Sequence, residues 1–305
     1  MWYGANTFSA DCFYHFGGLD DSATTAFPNS GDILAAKFNY QGDTVWARRY
    51  DTGQFDTGTS GVVANNGDFI GVGVSRLPVN GQIHTRAIRY DSLGNIIWDK
   101  AYNNTYSNRA EFATKDNNGN YYLAGYAEIN NNGGPNPKNV RGMLLKVDSL
   151  GNQVWMQKIP GICDEYSGGI GLAPDGNILL GVAKCLDQPE GNAIYSTIAL
   201  YKINRISGDT IWHKEYPNQY YGATDVPYFI QTLSDGDILI GGKGLKLFYE
   251  NGNVSFGRYT GVLIRTDSLG NMKWQRYYFY NEADAENMAI SYLSDCKKPL
   301  MMVLS

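Results

Sequence analysis

The sequence predicts an all-β fold, a β-propeller of four-stranded antiparallel blades, from three observations. Tryptophans recur at a near-constant interval, a turn opened by Asp or Asn and closed by Gly precedes each of them, and an Asx-Gly turn follows in four of the five repeats. Two hairpins per repeat make a four-stranded unit, and a four-stranded sheet recurring at this period is a propeller blade. A β-solenoid, the main rival, has much shorter rungs.

The tryptophans set the register. Trp46, Trp98, Trp155, Trp212 and Trp274 are separated by 52, 57, 57 and 62 positions. Three of them follow the same text, Asp-Ser-Leu-Gly-Asn, at Asp91–Asn95, Asp148–Asn152 and Asp267–Asn271; the other two follow the relaxed versions Asn39–Asp43 and Asn204–Asp209. An Asx side chain that bonds local backbone, followed by a glycine free to take positive φ, makes this piece a hairpin turn. A base stands two residues before each turn, at Lys37, Arg89, Lys146, Lys202 and Arg265. After the tryptophan the pattern continues at period two, as Trp46-x-Arg48-x-Tyr50, Trp98-x-Lys100-x-Tyr102, Trp212-x-Lys214-x-Tyr216 and Trp274-x-Arg276-x-Tyr278. Alternation puts the three side chains on one strand face. The third copy departs, with Gln157 and Ile159 at the last two places.

The second hairpin of each repeat turns at Asn66-Gly67, Asn118-Gly119, Asp175-Gly176 and Asp235-Gly236, each followed by an apolar run. Asx-Gly between apolar runs is a strong short-range hairpin signal. The fifth copy degrades to Asp295–Pro299, and Thr7 to Gly17 reads as a weaker copy at the front. Naming the strands a to d, the chain divides into a half blade at 1–30 and repeats at about 31–82, 83–139, 140–195, 196–258 and 259–305. That is five full repeats plus an N-terminal half blade, for five or six blade positions in one domain. The strand count leaves the expectation that the chain belongs to a longer one or to an assembly.

Composition agrees. With 36 glycines and 23 tyrosines in 305 residues, the chain favours tight turns and half-buried strands over helices. Its net charge of −5 is spread without a basic block, which argues against a nucleic-acid partner. No apolar run approaches the roughly 20 residues of a transmembrane helix, and the first residues lack the pattern of a secretory signal. The four cysteines form no CxxC pair, and the Asx-Gly loops lack calcium-loop spacing, so neither a metal nor a cofactor is expected.

Asp32–Asn39, followed by Gly61–Asp68, resembles the SBBP-type propeller repeats of secreted bacterial proteins. The Asp-Ser-Leu-Gly-Asn-x-x-Trp hairpin is similar to the tryptophan-containing unit of PQQ-like propellers such as outer-membrane assembly lipoproteins. The resemblance covers nearly the whole chain and implies an architecture, with a secreted or cell-surface location. The sialidase Asp-box is also similar, but Asp148 to Gly151 is one residue longer than that motif.

Function is sought where the repeats differ. The a–b and c–d turns are tight, while the b–c and d–a connections are long, dissimilar and on the opposite end of the blades. The d–a loops include Asn130 to Asn139 and Lys243 to Tyr259. The b–c loops supply the candidate ligand-binding residues Phe55, Asp56, Tyr106, Arg109, Glu165, Tyr166, Tyr220, Tyr221, Asp225, Glu282 and Asp284. Aromatics beside acids and amides suit a glycan or a protein partner. The first expectation is therefore a non-catalytic binding or scaffold module, secreted or at a cell surface. The alternative is a glycan-active hydrolase or lyase with carboxylates on the same face; a quinone-dependent oxidoreductase is a third reading. Two acids converging with raised pKa values would favour an enzyme, and exposed aromatics a binding module.

The five tryptophans are expected to be buried structural residues. Cys163 and Cys185 flank the c–d hairpin of the third repeat, so a disulfide between them is geometrically reasonable, with Cys12 and Cys296 unpaired.

Overall fold

A computed structural model describes residues 4–20, 31–76, 81–102, 107–128, 140–161, 164–185, 196–218, 224–250, 253–278, 288–290 and 302–304. The chain divides into two compact units, Met1–Pro160 and Gly161–Ser305. The fold is all-β, with five four-stranded antiparallel sheets of propeller-blade type.

The first unit holds three blades. In the first, β1 (Gly4–Phe8), β2 (Cys12–Asp20), β3 (Gly31–Asn39) and β4 (Thr44–Tyr50) pair in chain order. The second pairs β5 (Asp56–Val63), β6 (Phe69–Arg76), β7 (Ile83–Tyr90) and β8 (Ile96–Tyr102). The third pairs β9 (Asn108–Lys115), β10 (Tyr121–Glu128), β11 (Val140–Val147) and β12 (Gln153–Lys158). In the second unit the fourth blade pairs β13 (Tyr166–Leu172), β14 (Ile178–Cys185), β15 (Ser196–Ile203) and β16 (Thr210–Tyr216). The fifth pairs β17 (Thr224–Thr232), β18 (Ile238–Glu250), β19 (Asn253–Thr266) and β20 (Met272–Tyr278). A single parallel pair, Ser196 with Thr224, links the fourth and fifth blades. β21 (Met288–Ile290) and β22 (Met302–Leu304) form a two-stranded sheet.

The sheets straddle the sequence repeats. Each blade runs c–d–a–b, so the long d–a connection lies within a sheet and the b–c connection leads to the next sheet. The N-terminal hairpin is thus not a separate half blade. β2 pairs β3 along its whole length, from Cys12–Asn39 to Asp20–Gly31, and completes the first blade. The leftover pair falls at the other end of the chain. A second correction concerns Lys243 to Tyr259, expected as a loop. Its backbone continues β18 and β19 as one long hairpin, paired as far as Glu250–Asn253. Asn251-Gly252 between two extended runs carries the usual hairpin signal.

The repeated turns close as their chemistry requires. Asp91 Oδ1 accepts from the amides of Leu93 and Asn95, both at 2.8 Å, and Asn95 Nδ2 donates to Asp91 Oδ2 at 2.9 Å. Gly94 takes φ +81°. The side-chain bond from Asn95 holds the Asp91 carboxyl below its ordinary pKa. In the second, fourth and fifth blades the base before the turn pairs within its own blade with an aspartate of the c–d turn. Arg89 Nη2 sits 2.7 Å from Asp68 Oδ2, Lys202 Nζ 2.7 Å from Asp175 Oδ2, and Arg265 Nε 2.6 Å from Asp237 Oδ2.

The tryptophan stripe joins consecutive blades. Trp46 Nε1 donates to Ser92 O at 3.1 Å, and its ring covers Gly94, where a Cβ would come 2.7 Å from Trp46 Cδ2. Arg48 donates to the carbonyls of Gly94 at 3.0 Å and Leu93 at 2.9 Å. Trp98 Nε1 donates to Ser149 O at 3.1 Å, and Tyr102 Oη to Gly151 O at 3.0 Å. In the second unit Tyr216 Oη donates to Gly270 O at 3.0 Å. The expectation that all five tryptophans are buried fails. Trp46 is 6% exposed, whereas Trp98, Trp155, Trp212 and Trp274 are half-buried. Of the half-buried ones, Trp98 packs on Gly151 and Trp212 on Gly270, each the turn glycine of the next blade. Beside Trp46, Arg48 grips backbone carbonyls.

Cores lie between neighbouring blades. Tyr14, Phe16, Ile33, Trp46, Phe69, Ile88 and Tyr90 fill the seam of the first two, with Phe69 stacked on Tyr14 at 4.7 Å between centroids. Gly71 admits Phe16, whose Cε2 would lie 2.1 Å from a Cβ there. Leu123, Met143, Leu145, Ile70 and Val72 fill the next seam. Leu200, Ile238, Ile240, Val262 and Ile264 do the same between the fourth and fifth blades.

Candidate functional site

The b–c connections deliver the chain into the first strand of each following blade, and within each unit these strands lie against one another. β5 packs against β1 and β9, and β13 against β17. All of β5, β9, β13 and β17 carry a register shift near the middle. An extra residue in one strand bends it and re-aims a side chain. The extra residue is Thr59 in β5, Glu111 in β9 and Tyr228 in β17, while β13 uses its Gly168-Gly169 pair. These places differ in chemistry from blade to blade.

Just before the bulge, at the start of the strand, stands a buried polar residue. Asp56, Asn108 and Asp225 are 0%, 1% and 1% exposed. Asp56 Oδ2 accepts from Thr52 N at 2.9 Å and Thr52 Oγ1 at 2.6 Å, fixing the incoming connection. Asn108 Nδ2 donates to Tyr102 O at 2.8 Å, its Oδ1 accepts from Thr85 N at 2.9 Å, and Nδ2 lies 3.2 Å from His84 Nδ1. Burial lowers the His84 pKa. Asp225 Oδ2 accepts from Tyr277 Oη at 2.7 Å. Its Oδ1 has no hydrogen-bond partner among the described residues and lies over Gly244, where a Cβ would come within 2.6 Å. Burial raises the Asp225 carboxyl to about 6 against the hydrogen bonds from Tyr277 and Asn218.

Glu165, one residue before β13, is 0% exposed and seated on Gly161, where a Cβ would meet Glu165 Oε2 at 2.1 Å. Phe55 is half-buried under the Arg76 guanidinium, 5.6 Å from its centroid. Arg109 Nε pairs with Glu111 Oε1 at 2.9 Å, with side chains 25% and 37% exposed. Tyr166 is 40% exposed at the head of β13. Thus the structure places Asp56, Glu165 and Asp225 inside, Arg109 half-buried and Tyr166 toward solvent. Tyr106, Tyr220, Tyr221, Glu282, Asp284 and Cys163 lie outside the described residues, as do 130–139.

Sequence reasoning missed Tyr228, which is 46% exposed, and Glu111, because a bulge shifts the alternation that locates outward residues. Pro227 carried a signal, since proline within a strand run marks an edge or a bulge. Tyr259, 41% exposed, adds an aromatic at the base of the long hairpin, with Lys243 Nζ 3.6 Å over its centroid.

Among the described residues no group of three His, Cys, Asp or Glu side chains could hold a metal ion. Retaining and inverting glycosidases both need two carboxyls facing one bond. Asp225 is raised by burial, with no neighbouring acid among the causes of its shift. Near these strands the described surface offers the Arg109–Glu111 pair and the exposed Tyr166 and Tyr228.

These blades define a propeller-type repeat protein. Neither family models nor curated relatives match the chain. Solved structures do. A luciferin-regenerating enzyme aligns with a TM-score of 0.49 and 10% identity over 90% of this chain and 76% of its own. A thermostable family-43 glycoside hydrolase aligns at 0.48 and 11% over 94% and 97%. Drosophila Plexin A in complex with Semaphorin 1b aligns at 0.46 and 10% over 87% and 51%. No activity is carried over from these likenesses.

Proposed function

We propose that this chain is a non-catalytic binding or scaffold module that takes a glycan or a protein surface at the long-loop end of its blades. One observation carries the reading. Tyr166 and Tyr228 are exposed on adjacent first strands, β13 and β17, while the acids of the same region, Glu165 and Asp225, are buried. Exposed tyrosines give a sugar ring or an apolar protein patch a flat surface with a polar tip. Asp225 is held by Tyr277, and Glu165 is seated on Gly161. The disulfide at Cys185 supports a secreted or cell-surface location, where such bonds persist.

Glycan-array binding beside a hydrolase and lyase screen on the same glycans tests the reading. Binding without turnover is expected, with Tyr166→Ala and Tyr228→Ala each weakening it about tenfold, the loss of one well-placed contact. The alternative, a glycan-active enzyme, rests on Asp225 and its raised pKa. Turnover abolished by Asp225→Asn would establish that alternative instead.

A further inference from the structure

One polar row lies buried across the second blade. Asp56 of β5 stands opposite Ser75 of β6, and Ser75 opposite His84 of β7, so the three side chains share one face of the sheet. They are 0%, 2% and 1% exposed. Asp56 Oδ1, Ser75 Oγ and His84 Nε2 have no hydrogen-bond partner among the described residues. Buried polar atoms of this kind call for an explanation, because each forgoes the bonds it makes in water.

The other ring nitrogen of His84 is committed. Asn108 Oδ1 accepts from the amide of Thr85 at 2.9 Å, which fixes the side-chain amide and turns its Nδ2 toward Tyr102 O at 2.8 Å and His84 Nδ1 at 3.2 Å. Nδ2 only donates, so His84 Nδ1 must accept, and the proton of the neutral ring sits on Nε2. A protonated ring carries hydrogen on both nitrogens, so two donors would then face each other between β7 and β9. Asn108 is the first residue of β9. The next bond along, from Ala110 N to Thr85 Oγ1 at 2.9 Å, belongs to the same join.

We propose that His84 and Asn108 form an acid-released latch: the neutral ring holds Asn108 and the start of β9, and protonation of the ring breaks that hold. The row supplies the second arrangement such a device needs. Across Ser75 stands the unpartnered oxygen of Asp56, and the Ser75 hydroxyl both accepts and donates, so it can link a charged ring to that carboxylate. The other charges around β7 are engaged or outside. On the same face Arg86 Nε donates to Asp99 Oδ1 of β8 at 2.7 Å, and Asp99 Oδ2 accepts from Tyr50 of β4 at 2.6 Å. Arg76 of β6 lies over Phe55, Arg109 of β9 pairs with Glu111, and Tyr102 Oη of β8 donates to Gly151 O. Lys100 of β8 is exposed. Burial lowers the His84 pKa from 6.5, so the latch is complete above 6.5 and is lost as pH falls below it. That sign is opposite to the one expected for Asp225.

Imidazole NMR and amide hydrogen exchange on the full chain, both followed against pH, test this. Opening takes up one proton, so the opening constant at the Thr85 and Ala110 amides, corrected for intrinsic exchange, should rise about tenfold per pH unit between about 6.5 and the folded value. The Gly94 amide, held by Asp91 O in its turn, should show no such slope. His84→Gln offers Asn108 an accepting oxygen that does not titrate, and should keep Thr85 and Ala110 protected while removing the slope. An opening constant that is flat with pH overturns the proposal. So does a ring that titrates at or above the ordinary imidazole value, or a slope that His84→Gln leaves in place. The wild-type slope and ring titration decide the matter even where the variant fails to fold.

Discussion

Asp225 shows how a single buried group writes itself into the pH dependence of the molecule. Its folded pKa, about 6, lies above the ordinary carboxylate value, so the folded state binds more protons than the unfolded one between these two values. Stability contributed by the protonated form is present at low pH and is lost as pH rises through about 4 to 6. The full shift corresponds to about 3 kcal/mol at 1.36 kcal/mol per unit. Asp225→Asn should remove this slope in urea unfolding measured between pH 4 and 7, and should leave the protein at least as stable at pH 7. A slope that survives the substitution belongs to another group. The position was legible as a candidate because an acid and aromatics crowd the connection before β17, but its burial was not. Gly244 makes the room for its carboxylate, and that glycine sits in a different strand, 19 positions away in the sequence.

At the scale of the element, the turns and strands were readable because their chemistry is local. Asx-Gly at fixed offsets from an alternating stripe states both hairpins. What the stripe touches was not readable, since the partner of Trp46 is a glycine in the next blade. The two kinds of turn glycine can be separated by mutation. Gly67 takes φ +86° with nothing within 4 Å of a Cβ, so Gly67→Ala costs only backbone strain, about 1 kcal/mol. Gly94 takes φ +81° with Trp46 Cδ2 at 2.7 Å, so Gly94→Ala adds displacement of the indole, for a total of about 3 kcal/mol. Trp46→Ala removes the same grip from the other side and should cost about 3 to 5 kcal/mol, the half-buried Trp98 less. Chemical denaturation of the variants gives the order directly. Equal losses at Gly67 and Gly94 would mean that the indole does not bear on the turn. The bulges lie between these extremes: Pro227 flagged one in the text, but Glu111 has no comparable marker.

For the whole molecule, the repeat gave the number of strands but not where each sheet begins. Strand pairing between d and a is a long-range choice, made by the ladder from Cys12–Asn39 to Asp20–Gly31, and no local signal marks it. A covalent link is the other long-range feature. Cys185, 7% exposed at the end of β14, is disulfide-bonded, and Cys12 is free. Cys163 is the partner we expect, since the Asp175-Gly176 turn folds the ends of its hairpin side by side. Such a bond closes a loop of about 20 residues, for which chain entropy gives about 3 kcal/mol. It would tie the b–c connection ahead of β13, which carries Glu165 and Tyr166, to the last residue of β14. Non-reducing peptide mapping should join Cys185 to Cys163 and leave Cys12 alkylated, and Cys185→Ser should lower stability by about that amount. A peptide joining Cys185 to Cys296 would overturn the pairing, and the loop that presents Tyr166 would then owe its position to hydrogen bonds and packing alone.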